Sequence, residues 1–120
     1  MNTLFTVTLI VELVFALGFM AVPATLFGTF GVTPDAFGVS LARMFGSALL
    51  AFVTLVYYAR ISESPDLQKA AIRSLFVYWL LSSVFLIMAQ FGGLFNSMGW
   101  STIVLHLGFT IWYGVYAFKK

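Results

Sequence analysis

The stretch TVTLIVELVFALGFM, residues 6–20, decides the class of fold, because it is an apolar run with a single ionisable side chain, Glu12. A helix needs about 20 such residues to cross a hydrocarbon core of about 30 Å. A charge near the centre of that core costs at least about 2.5 kcal/mol, so it normally faces the protein interior. The stretch therefore predicts a membrane-spanning helix with one inward face, marked by Glu12.

The composition of the whole chain agrees with that class. Of its 120 residues, 62% are hydrophobic and only 8% are charged, which leaves too little polar surface to cover a water-soluble globule. The six Lys and Arg residues are dispersed or lie at helix ends, a pattern typical of membrane topology signals and not of nucleic-acid binding. No cysteine is present, which excludes disulfides and thiolate chemistry.

Glycine, proline and polar residues divide the chain into four apolar spans, at residues 4–22, 39–59, 70–91 and 100–118. Because the connections are short, we expect one all-α domain, a four-transmembrane-helix bundle with antiparallel neighbours. The halves 1–60 and 61–120 are each expected to form a helical hairpin.

Helix-start signals refine these boundaries. The first span ends near Pro23, and ATLFGTFG after it is expected to add a further turn. Two triplets, Thr33-Pro34-Asp35 and Ser64-Pro65-Asp66, each combine a capping residue, a proline and an acidic residue. This combination is typical of a helix N-terminus. The first triplet predicts an interfacial turn before the second span, and the other predicts the start of the third helix.

The distribution of basic residues predicts the orientation. The connection between spans two and three holds Arg60, Lys69 and Arg73, and the C-terminus holds Lys119 and Lys120. The other two connections contain no Lys or Arg. By the positive-inside rule, both termini are expected in the cytoplasm.

Each predicted helix carries polar side chains on one stripe at helical spacing; in the second span the stripe is formed by Arg43, Ser47, Thr54 and Tyr58. From these stripes we predict a ligand pocket, open toward the non-cytoplasmic leaflet. It is lined by Glu12, Arg43, Ser47, Trp79, Gln90 and His106. Within the predicted threading, Glu12 lies near mid-membrane, and Arg43 lies nearer the non-cytoplasmic surface. We therefore expect the Arg43 guanidinium to reach inward and to pair with Glu12.

Simpler roles remain open for these residues. An ion pair between Glu12 and Arg43 also serves to fix helix register without any ligand. His106 alone is more often a hydrogen-bonded packing residue than a ligand. No motif assigns a catalytic residue, a metal site or a cofactor; haem would require His106 with a methionine or with a second copy. An acid–base enzyme acting on a lipid or quinone through Glu12 and His106 also stays open.

Four segments carry a resemblance that covers nearly the whole chain: VPATLFGTFG, LARMFGSALLAF, YYAR and FNSMGWSTIVLHLGF. They resemble a group of uncharacterised bacterial four-helix membrane proteins, related in style to the DoxX-like families. The most recognisable positions are Pro23, Arg43, Gly46, Arg60, Asn96, Trp100 and His106. The resemblance implies a fold and a place in the bacterial plasma membrane, but no particular activity.

Glu12 in the first helix carries a second, architectural resemblance. The chain is similar in length and helix number to the small multidrug-resistance exporters, which exchange protons for cationic drugs through one acidic residue in the first helix. The small residues around that acid are replaced here by VELVFALGF, and Arg43 would bring a competing cation. We therefore expect no robust export of cationic drugs.

Three hypotheses follow from the sequence. The first is a protein whose polar pocket binds a lipid-like or quinone-like amphiphile, or an accessory subunit of a membrane complex. The second is a proton-coupled transporter that uses Glu12, and the third is a structural protein without a ligand. The expected partners are membrane lipids, an amphiphilic ligand, and a second copy or a larger membrane complex.

Overall fold

A computed structural model describes residues 1–119, which form helices joined by short connections and contain no strand in that range. The described helices are α1 (Asn2–Ala21), α2 (Pro23–Thr29), α3 (Ala36–Ile61), α4 (Pro65–Phe91) and α5 (Gly99–Ala117). The chain divides into two compact units: helices α1 to α3 form the first, residues 1–61, and α4 and α5 form the second. The all-α prediction is confirmed, and each half contains a pair of packed long helices. Lys120, one of the predicted topology signals, lies outside the described residues.

Three of these helices, α1, α3 and α4, are long and apolar enough to cross a membrane. Together with the composition, they indicate an integral membrane protein. The fourth predicted span corresponds to α5, which is helical as expected but is not one of the three. Its sequence is interrupted by Gly, Ser, Thr and His106, which lower its apolar character. The described helices number five instead of the predicted four, because residues 23–29 form a separate helix.

The boundary between α1 and α3 is set by proline, glycine and aspartate. Pro23 occupies the first position of α2, where a missing N–H is tolerated. After α2, Gly31 has φ +77°, and the N–H of Val32 donates to the Phe27 carbonyl over 3.0 Å, which closes a Schellman motif. The Asp35 carboxylate accepts from the Gly38 N–H at 2.7 Å and so caps α3. The capping residue is therefore Asp35 instead of Thr33, and α3 is one continuous helix.

The second unit begins and turns by the same local chemistry. The Ser64 hydroxyl accepts from the Leu67 N–H at 3.4 Å, Pro65 occupies the first helical position, and Asp66 lies in the first turn. This confirms the predicted start of α4. At its end Gly93 also has φ +77°, and the Leu94 N–H donates to the Ala89 carbonyl at 3.0 Å.

Helices α1 and α3 pack antiparallel, and they approach closely at Gly46. A Cβ atom at Gly46 would lie 2.8 Å from both the Ala16 carbonyl oxygen and Met20 Cγ. Only glycine fits there without displacement of the α1 backbone. The Ser47 hydroxyl, one residue further, lies 3.8 Å from the Met20 sulfur. This contact fixes the axial register of the first unit.

In the second unit α4 and α5 also run antiparallel. The hydroxyls of Ser83 and Thr110 lie 3.2 Å apart across the helix pair. Near one end of the helix pair, the rings of Phe76 and Phe118 pack edge-on, with their centroids 5.3 Å apart. The absence of a side chain at Gly114 leaves room for the same phenyl ring.

We predict that Gly46→Ala destabilises the protein, because the added methyl group must displace backbone atoms of α1. Overpacking of this kind costs about 1–3 kcal/mol. The matched control is Gly108→Ala, where an added Cβ meets nothing within 4 Å and alanine favours the helix. Thermal melts in detergent, followed by circular dichroism, should show a lower Tm for Gly46→Ala and an unchanged or higher Tm for Gly108→Ala. Equal melting temperatures would contradict the close approach.

Candidate functional site

Several serine and threonine side chains on the long helices are satisfied within their own helix. Thr8, Thr54, Ser83 and Thr110 each donate to the carbonyl four residues earlier, at 2.7–3.0 Å. In hydrocarbon no water is present to satisfy such groups, so this local bond is the expected solution. Polar atoms that lack such a partner are therefore the ones that need explanation.

Three buried side-chain atoms of residues 1–119 have no hydrogen-bond partner: Glu12 Oε1, Trp79 Nε1 and Gln90 Oε1. Glu12 and Trp79 are each only 2% exposed. A buried polar atom left without a partner typically costs about 1–3 kcal/mol. Native structures retain few of them, so each is a candidate contact for a ligand or a proton.

The predicted ion pair between Glu12 and Arg43 is wrong. Glu12 is buried on α1, whereas Arg43 is exposed on α3, and no ion pair joins them in the described chain. Although both residues belong to the first unit, their side chains do not meet. Glu12 is therefore a buried carboxyl group without an arginine partner.

Helix register explains this separation. Gly46 lies beside Ala16 and Met20, and the level of Glu12 on α3 is close to Val53, because Leu13 and Val53 line the same groove. Arg43 is ten residues before Val53, a distance of about 15 Å along a helix axis. An arginine side chain does not span that distance.

The predicted polar stripe of α3 does not face α1. Arg43, Ser47, Thr54 and Tyr58 are all exposed, and the α3 face that packs inward is built from small and aliphatic residues. The Ser47 hydroxyl donates to the Arg43 carbonyl at 3.0 Å in addition to its contact with Met20. Neither Arg43 nor Ser47 thus contributes to a buried polar cluster within the first unit.

Gln90 holds the turn between α4 and α5. Its Nε2 donates to the carbonyls of Phe95 and Asn96, at 3.4 and 3.2 Å, and its Oε1 packs against Gly99. A side chain at position 99 would collide with this amide. The contacts give Gln90 a structural role in the turn, beside its predicted role in a pocket.

Trp79 and His106 are predicted site residues whose side chains meet between α4 and α5 of the second unit. Their rings meet edge-on, with centroids 4.8 Å apart, and Phe109 stacks on Trp79 at 4.4 Å with an interplanar angle of 10°. Tyr78 lies 5.0 Å from Trp79 and 6.5 Å from His106, centroid to centroid. We call these four residues, Tyr78, Trp79, His106 and Phe109, the aromatic cluster.

The hydrogen bonding of His106 defines its tautomer. Nδ1 lies 2.8 Å from the Thr102 carbonyl oxygen, which can only accept, so Nδ1 carries a proton. In the neutral ring Nε2 then holds a lone pair, and no described residue donates to it. The aromatic cluster therefore presents one unused donor, the Trp79 indole N–H, and one unused acceptor, His106 Nε2.

An open groove of about 440 Å³ lies between α1 and α3 and was not predicted from the sequence. On α1 it is lined by Leu9, Ile10 and Leu13. On α3 it is lined by Val53, Thr54, Tyr57 and Tyr58. The adjacent tyrosines just before Arg60 are the sequence signal for this feature, which we call the α1–α3 groove.

Phe109 is a further residue that the sequence did not indicate. It lies three positions after His106, on the same face of α5.

Comparisons of the chain with known protein families, with curated proteins and with solved structures find no match. Within residues 1–119, no three His, Asp or Glu side chains are grouped so that they could hold a metal ion. The function is therefore inferred from the buried polar atoms without a partner.

We predict that Glu12→Gln and Arg43→Gln act independently on stability. Because the two side chains do not meet, the double variant should lose the sum of the single losses within about 0.5 kcal/mol. Arg43→Gln alone should be close to neutral, since the residue is exposed. Denaturation of all four proteins in the same detergent measures the cycle. An interaction energy clearly above about 1 kcal/mol would show that the Glu12 and Arg43 side chains interact.

Proposed function

We propose that this chain is a small integral protein of the bacterial plasma membrane that binds a lipid-like or quinone-like amphiphile through the aromatic cluster of α4 and α5. It acts as a binding protein or as an accessory subunit of a membrane complex. The observation that carries the proposal is the Trp79 indole N–H, which is buried and without an acceptor, beside the unused Nε2 of His106.

The chemistry of these two atoms favours a ligand with a polar head on an apolar body. A quinone carbonyl accepts from an indole N–H, and a quinol hydroxyl donates to an imidazole nitrogen. Tyr78 and Phe109 pack on Trp79 and make the surroundings of these two atoms aromatic and apolar, and ligand sites combine an apolar lining with a few placed polar groups. Pure core packing would explain the Trp79–Phe109 stack, but it would not explain the unused donor.

We predict that Trp79→Phe weakens the binding of a short-chain ubiquinone by about two- to tenfold, the worth of one neutral hydrogen bond. The variant removes the N–H and keeps an aromatic ring. His106→Phe should weaken binding to a similar extent. Titration calorimetry on protein in lipid nanodiscs provides the measurement.

The matched control is Trp100→Phe, because Trp100 is exposed and lies outside the aromatic cluster. It should leave ubiquinone binding unchanged. Equal affinity in wild type, Trp79→Phe and His106→Phe would exclude the site. If wild-type protein binds no quinone and retains no lipid after gentle extraction, the chain is structural.

A second candidate function is proton-coupled transport through Glu12, and the missing ion pair favours it. An acid already paired with arginine is unavailable to a cationic substrate, and that reason for expecting no transport no longer applies. Glu12 lies in an apolar helix, where ionisable residues commonly mark proton or ion pathways.

The transport test uses purified protein in vesicles with an imposed proton gradient and ethidium as the cationic probe. If Glu12 carries protons, gradient-driven accumulation should be present in wild type and abolished in Glu12→Gln. The control, Glu63→Gln, changes an exposed acid outside the helices and should transport as wild type does. Accumulation that persists in Glu12→Gln, or is absent from wild type, would exclude this function.

The proposed function includes four membrane crossings, with both termini in the cytoplasm. We predict that single cysteines at Glu63 and Ser97 are labelled from opposite sides, because Glu63 lies in the connection between α3 and α4, and the adjoining parts of these helices carry Arg60, Lys69 and Arg73. The native lack of cysteine makes the labelling unambiguous. A membrane-impermeant maleimide on intact spheroplasts should label the Ser97→Cys protein and leave Glu63→Cys unlabelled until lysis. Labelling of both from one side would overturn the topology.

A further inference from the structure

We infer that the α1–α3 groove is a binding site for one anionic glycerophospholipid of the cytoplasmic leaflet. The acyl chain lies in the groove, and the phosphate group lies at the end marked by Tyr57, Tyr58 and Arg60. This site lies in the first unit and is independent of the aromatic cluster; it shares with the proposed function only the membrane orientation.

The shape and chemistry of the groove fit a hydrocarbon chain. Leu9, Ile10 and Leu13 form one wall, and Val53 lies on the other. Thr54 does not make the groove polar, because its hydroxyl donates to the Leu50 carbonyl at 3.0 Å. The groove is open along its side, so a lipid can enter from the bilayer without any opening of the helix pair.

The polar end of the groove has unused donors and a positive charge. The rings of Tyr57 and Tyr58 are 49% and 56% exposed and meet edge-on at 5.6 Å, and their hydroxyls bond to no described residue. Arg60 follows Tyr57 by three residues, or about 4.5 Å along the helix, and it is exposed and forms no ion pair in the described chain. Phenol and guanidinium groups are suited to phosphate oxygens.

Charge complementarity selects an anionic lipid over a zwitterionic one. Within the first unit the only acids are Glu12 and Asp35. Glu12 lies on α1 at the level of Val53, and Asp35 caps the other end of α3. No acid of the first unit therefore lies beside Arg60, and the acid that follows it in the sequence, Glu63, is three residues away and exposed. A basic residue next to the aromatic belt of the cytoplasmic surface is a typical position for anionic headgroups.

The experiment is native mass spectrometry of protein extracted from nanodiscs that contain equal amounts of phosphatidylglycerol and phosphatidylcholine with identical acyl chains. Wild-type protein should retain one phosphatidylglycerol about fivefold over phosphatidylcholine, the factor that one basic residue at an anionic surface supplies. Arg60→Gln should remove this preference. Leu13→Trp fills the groove and should reduce retention of both lipids.

Two matched variants serve as controls. Arg73→Gln removes an exposed arginine of the second unit, and Val14→Trp adds the same bulk at the next, exposed position of α1 outside the groove. Both should retain phosphatidylglycerol as wild type does, and circular dichroism checks the fold of each variant. Equal retention of the two lipids by wild type, or unchanged retention in Leu13→Trp, would overturn the proposal. Ubiquinone titration of Leu13→Trp separates this site from the aromatic cluster, because quinone binding should be unaffected.

Discussion

The structure depends on the absence of water around its long helices. A hydroxyl, carboxyl or indole group within a bilayer must find a partner in the protein, in a ligand or in another polar molecule that reaches it. Thr8, Thr54 and Ser83 meet this requirement locally, by donation to the carbonyl one turn earlier. These bonds do not depend on tertiary packing, so they leave the helix faces free for close contact. Among the described residues, three buried side-chain atoms have no partner: Glu12 Oε1, Trp79 Nε1 and Gln90 Oε1.

These three atoms differ in what surrounds them. Gln90 uses its amide N–H groups to hold the turn before α5, and its oxygen is buried by the backbone of Gly99. Its role is explained by the turn. Trp79 belongs to an aromatic cluster whose other polar member, His106, is held by Thr102 in a tautomer that leaves Nε2 unused. Glu12 Oε1 has no hydrogen-bond partner among the described residues. The indole and imidazole therefore favour a ligand with a polar head, whereas the isolated carboxyl favours proton chemistry.

One glycine has a large influence on what the first unit can do. Gly46 allows the backbones of α1 and α3 to approach, and the resulting register sets Arg43 about 15 Å along the axis from the level of Glu12. The same register brings Leu9 and Leu13 beside Tyr58 and Thr54, which creates the α1–α3 groove. A shift by one helical turn would change both results. The groove and the unpaired acid are thus two consequences of a single packing contact.

The sequence by itself determined the features that depend on neighbouring residues in the chain. The apolar length of α1, the Ser64-Pro65-Asp66 start of α4 and the hairpin division of the chain were predicted correctly, because span length, capping and turn chemistry act over a few residues. The predicted cap of α3, Thr33, lies only two residues before the observed cap, Asp35.

Only the tertiary structure decided which polar residues meet. Periodicity assigned Arg43 and Ser47 to an inward stripe, but a helix has several faces, and the small residues around Gly46 pack inward instead. Pairing between helices depends on axial register and rotation, which a few side-chain contacts set and which hydrophobic periodicity does not encode. For the same reason, Trp79 and His106 were recognised separately, while their 4.8 Å contact and the stacking of Phe109 became visible only once α4 and α5 were packed.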